Sequence, residues 1–206
     1  MAEIIKTRFT HKGEEFKEKS DVFETQIPAD IMEQHTYIRI EKLHASVVRI
    51  AYLCDFPECC GIVSRWLYYN RNNNDIIPPN YENDPDYIRF HTGFTNNYRT
   101  KFPIRLIVIS DKKCVGTVTL INNDFPGKRY GPWLGGLFVD AQYRNLGIGK
   151  LLLEEGIKII KDLGCHELYL TTHTANRYYK RLGWQSYEFC KSDDGFDEEI
   201  FKINIT

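Results

Sequence analysis

Residues 143–161 read YRNLGIGKLLLEEGIKIIK. Two glycines, Gly147 and Gly149, stand just after Arg144, and a helical pattern follows at once. A helix N-terminus carries unpaired N–H groups and a partial positive charge. Glycine at that place lets a polyanion reach the backbone, because no Cβ intervenes. Arg144 and Lys150 add positive charge beside it. The stretch therefore predicts a phosphate or pyrophosphate seat at the start of a helix over 147–163. Leu153, Gly156, Ile157 and Ile160 fall on one face of that helix, Glu154 and Lys158 form an i,i+4 pair on the other, and Gly164 ends it.

Working outward, 133–139 (WLGGLFV) reads as a buried strand whose double glycine marks a bulge or a close backbone approach. Residues 104–110 and 114–122 flank a short turn and predict a β-hairpin. After the helix come a strand at 166–172, a short helix at 174–182 stopped by Gly183, and a closing hairpin, 184–190 with 197–205. In the first half, 36–43 alternates like a strand. Residues 44–70 read as two helical pieces split by Pro57, and 86–99 as a short helix after an Asn- and Pro-rich loop. Residues 1–35 are polar and of mixed charge, an extension ahead of one domain over 36–206. The order from 103 onward is β-β-β-α-β-α-β-β, a mixed α/β sheet with helices on its faces.

Two familiar phosphate motifs fail on residue identity. A Walker A loop needs G-x-x-x-x-G-K-[ST], but Leu151 stands where Ser or Thr must follow Gly149-Lys150. A dinucleotide fingerprint needs G-x-G-x-x-G, but Leu152 occupies the third glycine position.

A third pattern fits. Val139, Arg144, Gly147 and Gly149 follow V-x-P-x-x-[QR]-x-x-G-x-[GA], with Ala141 where proline is usual. This stretch resembles the acyl-CoA motif of the GCN5-related N-acetyltransferase (GNAT) family. Tyr179-Lys-Arg-Leu-Gly-Trp184 resembles that family's Y-x-x-x-G-[FW] segment. The resemblance covers roughly residues 36–190 and implies a mainly antiparallel sheet with a splayed central parallel pair. It implies acetyl-CoA as acyl donor and an amine, either a small molecule or a peptide N-terminus, as acceptor. The backbone of Asn145, Leu146, Gly147, Ile148, Gly149 and Lys150, with Arg144 beside it, would hold the pyrophosphate. Leu137, Phe138 and Val139 would pair with the pantetheine arm, and an N–H near Phe138 or Val139 would polarise the acetyl carbonyl. Asn176 would add a further cofactor contact.

The chemistry requires a base for the amine, donors for an oxyanion and a proton for the departing thiolate. By the resemblance Tyr179 is the general acid, with its neighbour Tyr178 as rival. The strand before the short helix ends in Thr171-Thr172-His173, where relatives often carry glutamate. His173 is one candidate base, since imidazoles titrate near neutrality. Water is another, and Asp124 is a candidate to bind or deprotonate a cationic amine. The bland alternatives are a capping histidine and a turn-forming aspartate beside Pro126. Tyr68, Tyr69 and Tyr81 lie where the family usually builds its acceptor pocket, though ordinary packing is the favoured account of them.

The totals agree. In 206 residues, 42% apolar content and a net charge of −1 describe a globular chain without the basic surface of a nucleic-acid binder. No apolar run approaches the roughly 20 residues of a membrane span, and the first residues lack a signal-peptide core. The six cysteines, irregularly spaced, are expected to be reduced thiols in a cytoplasmic protein that needs no metal. The competing function is a CoA-binding regulatory module without turnover.

Overall fold

The computed structural model describes residues 5–9, 15–19, 26–43, 46–71, 81–123, 127–191, 195 and 197–206. Strands β1 (Ile5–Phe9) and β2 (Glu15–Lys19) pair with each other in a separate antiparallel ribbon. Helix α1 (Ala29–Gln34) follows. Just before it, Ile27 is fully buried and its N–H bonds the Lys112 carbonyl, so this part of the N-terminal stretch docks on the main body.

That body is an eight-stranded sheet. Its strands are β3 (Arg39–Leu43), β4 (Ser46–Tyr52), β5 (Ile104–Ser110), β6 (Lys113–Ile121), β7 (Trp133–Val139), β8 (Glu167–Thr172), β9 (Gln185–Lys191) and β10 (Asp197–Asn204). The spatial order is β3-β4-β5-β6-β7-β8-β10-β9, and every pairing is antiparallel except β7 with β8. Helices α2 (Cys60–Arg71) and α3 (Pro85–Phe94) cover one face; α4 (Ile148–Asp162) and α5 (Asn176–Arg181) cover the other. Among the described residues no helix is long and apolar enough to cross a membrane.

The expectation of two helical pieces over 44–70 is corrected. Residues 46–52 form strand β4, and only the second piece is the helix α2. Pro57 does not split a helix; it opens the single 3₁₀ turn that leads into α2. Val47, Val48 and Ile50 are β-branched, and β4 is flanked on both sides by strands, so ladder hydrogen bonds override a pattern that was ambiguous over so short a run. The surface pairing on α4 is also corrected. Glu154 bonds Arg39 of β3 at 3.1 Å and lies 3.6 Å from Lys150, while Lys158 sits 4.0 Å from Glu155.

Two apolar clusters sandwich the sheet. Ile148, Leu152, Leu153, Ile160, Leu168 and Phe201 belong to the one under α4 and α5. Ile107, Ile109, Val63, Trp66, Leu67 and Phe94 belong to the one under α2 and α3. Each fully buried large side chain contributes about 1.5–3 kcal/mol. The six cysteines are free, and Cys59 is driven upward in pKa by the neighbouring Cys114 thiol and by burial, as expected of inert core thiols.

The interruption of β7 positions everything that follows. Thr117 faces Phe138 and Thr119 faces Gly135, so β7 carries one more residue than β6 over the same span. Gly136 sits in that bulge with φ +59. A Cβ there would lie 3.0 Å from Leu67 Cδ1. Gly136→Ala is therefore predicted to destabilise the protein by about 1–2 kcal/mol, from left-handed backbone strain. Chemical denaturation measures it, and a change within error of zero would mean the bulge relaxes without glycine.

Candidate active site

β7 and β8 run parallel but share only one described pair, Trp133 with Tyr169, supported by the bond from the Tyr169 N–H to the Pro132 carbonyl at 3.0 Å. Beyond it the strands part. β5 and β6 are buried along almost their whole length, whereas Leu137, Phe138 and Val139 are only half-buried. Their β6 side is paired from Gly116 to Ile121, which leaves the β8 side of the segment as an open strand edge inside the molecule.

At its far end this edge runs into the glycine turn. Asp140 caps a 3₁₀ turn through the Gln142 N–H at 2.9 Å, and its own N–H holds the Val115 carbonyl at 2.9 Å. Asn145 and Gly147 both have positive φ, +64 and +90, and Gly147 is the N-cap of α4. The chain thus turns sharply before the helix, leaving its first N–H groups without intrahelical acceptors. A side chain at Gly147 would meet open space, so only backbone conformation demands glycine there. Arg144 Nε donates to the Val139 carbonyl at 2.9 Å, and its guanidinium lies 5.8 Å from the Phe138 ring centroid. Lys150 is exposed beside Glu154. The stretch Arg144 to Lys150, with Leu146 and Ile148 anchoring it in the core, therefore presents free N–H groups and two cations at one end of the open edge. These groups suit a diphosphate.

The tyrosine pair divides between two directions. A Cβ on Gly149 would lie 2.9 Å from the Tyr178 hydroxyl, so Tyr178 reaches over the glycine turn. Tyr179 is 8% exposed and packs its ring against Trp184 and Phe201 at 6.1 and 6.2 Å. Burial, and to a lesser degree Tyr178, pushes the Tyr179 phenol well above its ordinary pKa, so it remains protonated at any working pH. Sequence reasoning placed Tyr178 only as a rival for the acid; its proximity to Gly149 is a contact between separate elements without a local signature.

The other candidates spread out. His173 lies exposed in the turn between β8 and α5, where Thr172 Oγ1 accepts from the Ala175 N–H at 3.0 Å just ahead of the helix. Asn176 donates its amide to Glu199 of β10, which Lys180 also approaches at 3.0 Å. Burial alone would raise Glu199, but bonds from Ser186, Asn176 and Lys180 outweigh it and hold the carboxyl below its usual range. Asp124 lies outside the described residues. Trp66 of α2, expected from its residue type to be core or cleft wall, stacks on Phe138 at 4.8 Å and walls the site on the opposite face. Thr119 Oγ1, near the bulge, is buried without a hydrogen-bond partner. Tyr68 is tied to Asp84 at 3.0 Å, and Tyr69, Tyr81 and Tyr87 stack edge to face or in parallel, so these rings do pack as a cluster.

A mixed sheet opened between two parallel strands, with a glycine turn and helix start at the mouth, defines the acyl-CoA transferase class of fold. Residues 65–184, more than half of the chain, match the acetyltransferase (GNAT) family. The protein belongs to that family. It is 28% identical over 96 residues to an uncharacterised N-acetyltransferase, YjhQ, of Escherichia coli K12, a match spanning 45% of this chain and half of that protein. Its fold is shared with a GNAT-family acetyltransferase of Staphylococcus aureus Mu50, at TM-score 0.53 and 24% identity, over 77% of this chain and 99% of the other. An aminoglycoside 6'-N-acetyltransferase complexed with coenzyme A aligns at TM-score 0.57 and 16% identity, over 76% and 97% of the two chains.

Two tests follow from the geometry. Gly149→Ala is expected to weaken CoA binding about tenfold or more with little loss of ligand-free stability, because its methyl displaces only the end of the Tyr178 side chain. Calorimetric titration with CoA checks it, and unchanged affinity would remove Gly149 from the binding surface. The buried phenols set alkaline stability. Burial and neighbouring acids push Tyr69 up to about 12, and Tyr179 is raised as well. Unfolded tyrosines ionise near pH 10, so above that the unfolded state binds fewer protons and stability falls as pH rises. Urea midpoints should be insensitive to these groups between about pH 7 and 9 and fall above about pH 10. The fall should be shallower in Tyr69→Phe; equal slopes would refute the assignment.

Proposed function

We propose that this protein is a cytoplasmic N-acetyltransferase that moves an acetyl group from acetyl-CoA to a primary amine by direct attack. One observation carries the reading: the open edge Leu137–Val139 joins a glycine turn suited to a diphosphate at one end to the Gly136 bulge at the other. A slot with an anion seat at one end and a strand edge along its length suits a ligand with an anionic head and an amide-bearing arm.

In this reading the N–H groups from Asn145 to Lys150 hold the pyrophosphate, with Arg144 lending charge. Leu137, Phe138 and Val139 pair their free backbone groups with the pantetheine amides. An N–H near Phe138 or Val139 polarises the thioester carbonyl. Tyr178, over Gly149, belongs to the anion end, which leaves Tyr179 to give its proton to the departing thiolate. His173, or water near it, takes the proton from the amine, and Asn176 steadies the start of α5 through Glu199. Asp124 remains a candidate for holding a cationic acceptor. No step requires a metal ion. An amine acceptor is supported by the name of one structural neighbour, an aminoglycoside 6'-N-acetyltransferase.

The burial of Tyr179 among Trp184 and Phe201 favours one alternative, a CoA-binding module without turnover. Thermal melts separate the cofactor claim from the rest. Acetyl-CoA or CoA at about 100 times its Kd should add roughly 2.7 kcal/mol of stability. NAD and ATP should add none; no shift with either CoA species in a folded sample ends the proposal. Given a shift, Tyr179→Phe should lower kcat by about 10²-fold while leaving the acetyl-CoA KM near its original value. Tyr178→Phe should raise that KM several-fold and spare kcat. The reverse pattern would exchange the two roles, and binding without acetylation of any amine would favour the module.

A further inference from the structure

Helix α5 divides its positive charges between two directions. Successive helical residues project about 100° apart, so Arg177, Tyr178 and Arg181 share one sector of α5, while Asn176 and Lys180 share another. The second sector is tied to the sheet. The Asn176 amide bonds the buried Glu199, and Lys180 Nζ lies 3.0 Å from Glu199 Oε1. In the first sector Arg177 and Arg181 are both exposed, and among the described residues neither has an ion-pair or hydrogen-bond partner.

Tyr178 marks where the first sector looks. Its hydroxyl lies 2.9 Å from the position a Cβ would take on Gly149, in the glycine turn. Burial raises the pKa of this phenol, and the Arg181 guanidinium, close enough to act on it, works the other way. Arg181 therefore stands beside the mouth of the slot, next to the turn that carries Arg144 and Lys150.

Helix electrostatics accounts for only one of the two arginines. Arg181 closes α5, and a cation is favoured at a helix C-terminus. Arg177 stands in the first turn, where the free N–H groups disfavour positive charge. The diphosphate does not call for them either. Each phosphorus of a diphosphate diester carries one negative charge, and Arg144 and Lys150 already flank that seat. Two further cations at the same mouth suit a further anionic group on the same ligand.

We propose that Arg177 and Arg181 form a second phosphate seat, which takes a phosphomonoester on the nucleotide end of the acyl donor and so selects the 3′-phosphorylated cofactor over its dephospho form. The inference rests on the acetyltransferase reading above, which supplies CoA as the donor. A phosphomonoester carries about −1.5 to −2 charge at neutral pH and three acceptor oxygens. A guanidinium matches it with two parallel N–H donors. Both arginines are open to solvent, so the selection weakens as salt screens it.

CoA and dephospho-CoA differ only in that phosphate. Calorimetric titration of the full chain should give CoA a Kd about tenfold below that of dephospho-CoA at low salt. The ratio should narrow as sodium chloride rises from about 0.05 to about 0.5 M. Arg177→Gln and Arg181→Gln should each shrink the ratio, and the double variant should bring it near one by weakening CoA alone. Neither side chain is buried, so ligand-free melting temperatures should stay at the parent value. Lys158→Gln removes one charge from a position 63% exposed and about 15 Å along α4 from its start, and should leave the ratio intact. Equal Kd values for the two ligands in the parent protein overturn the proposal. So does a double variant that retains the ratio, one that weakens both ligands alike, or a Lys158→Gln protein that loses the ratio as fully. A parent protein that binds neither ligand overturns the acetyltransferase reading instead, because the glycine turn should take the diphosphate of both.

Discussion

The single pair between Trp133 and Tyr169 is the contact on which the architecture of the site turns. Parallel strands at a sheet centre are normally laddered along their length and buried on both faces. Here the ladder stops at its first rung, and the bulge at Gly136 adds one residue to β7. Side chains alternate along a strand, so one extra residue reverses the faces of everything beyond it. Leu134 packs toward α4. After the bulge Leu137 and Val139 take that side, and Phe138 is turned toward Trp66 of α2. The bulge thus opens the slot and also gives it an aromatic wall on the far face.

Each face then holds its helices by a different means. Under α4 the contact is apolar, but the helix is also pinned to the sheet margin. Arg39 of β3 bridges Glu154 at 3.1 Å and the buried Glu155 at 3.3 Å. Under α3 the tie is Arg105 of β5, a buried cation that bonds the Asn96 carbonyl at 2.8 Å and Asn97 Oδ1 at 2.6 Å, with its guanidinium 3.9 Å from the Phe94 ring centroid. Burial brings Arg105 down to about 10, still charged at neutral pH. The end of α3 is therefore fixed by a charge-assisted contact. Breaking one partner of such a contact costs more than the contact contributes, because the other charge stays buried.

Much of this was legible in the chain. The hairpin of β5 and β6, strand β7, helix α4 and its glycine stop follow from periodicity and turn residues, and the R-x-x-G-x-G turn falls on the helix start it implies. The bulge was signalled by Gly135-Gly136. Strand β4 was not legible, because a short apolar run such as Ser46–Tyr52 fits either period until its neighbours are known. The stacking of Trp66 on Phe138 and the reach of Tyr178 to Gly149 were hidden for another reason: both join residues far apart in sequence, and no local pattern encodes such contacts. The same holds for Asn176, whose amide is taken by Glu199 of a strand that comes later in the chain.

The consecutive tyrosines show how a short element is made to serve a slot with two ends. α5 has only six residues, too few to be stable alone, so its rotation must be imposed from outside. Thr172 fixes its start through the Ala175 N–H, and the Trp184 N–H fixes its end by bonding the Tyr179 carbonyl at 3.2 Å. Adjacent positions on a helix project about 100° apart. With the rotation set at both ends, Tyr178 is directed at the glycine turn and Tyr179 inward against Trp184 and Phe201. A shift of α5 by one residue would send the second phenol toward the turn and leave the inner wall open. The Thr172 and Trp184 bonds therefore act on the site as much as the tyrosines do.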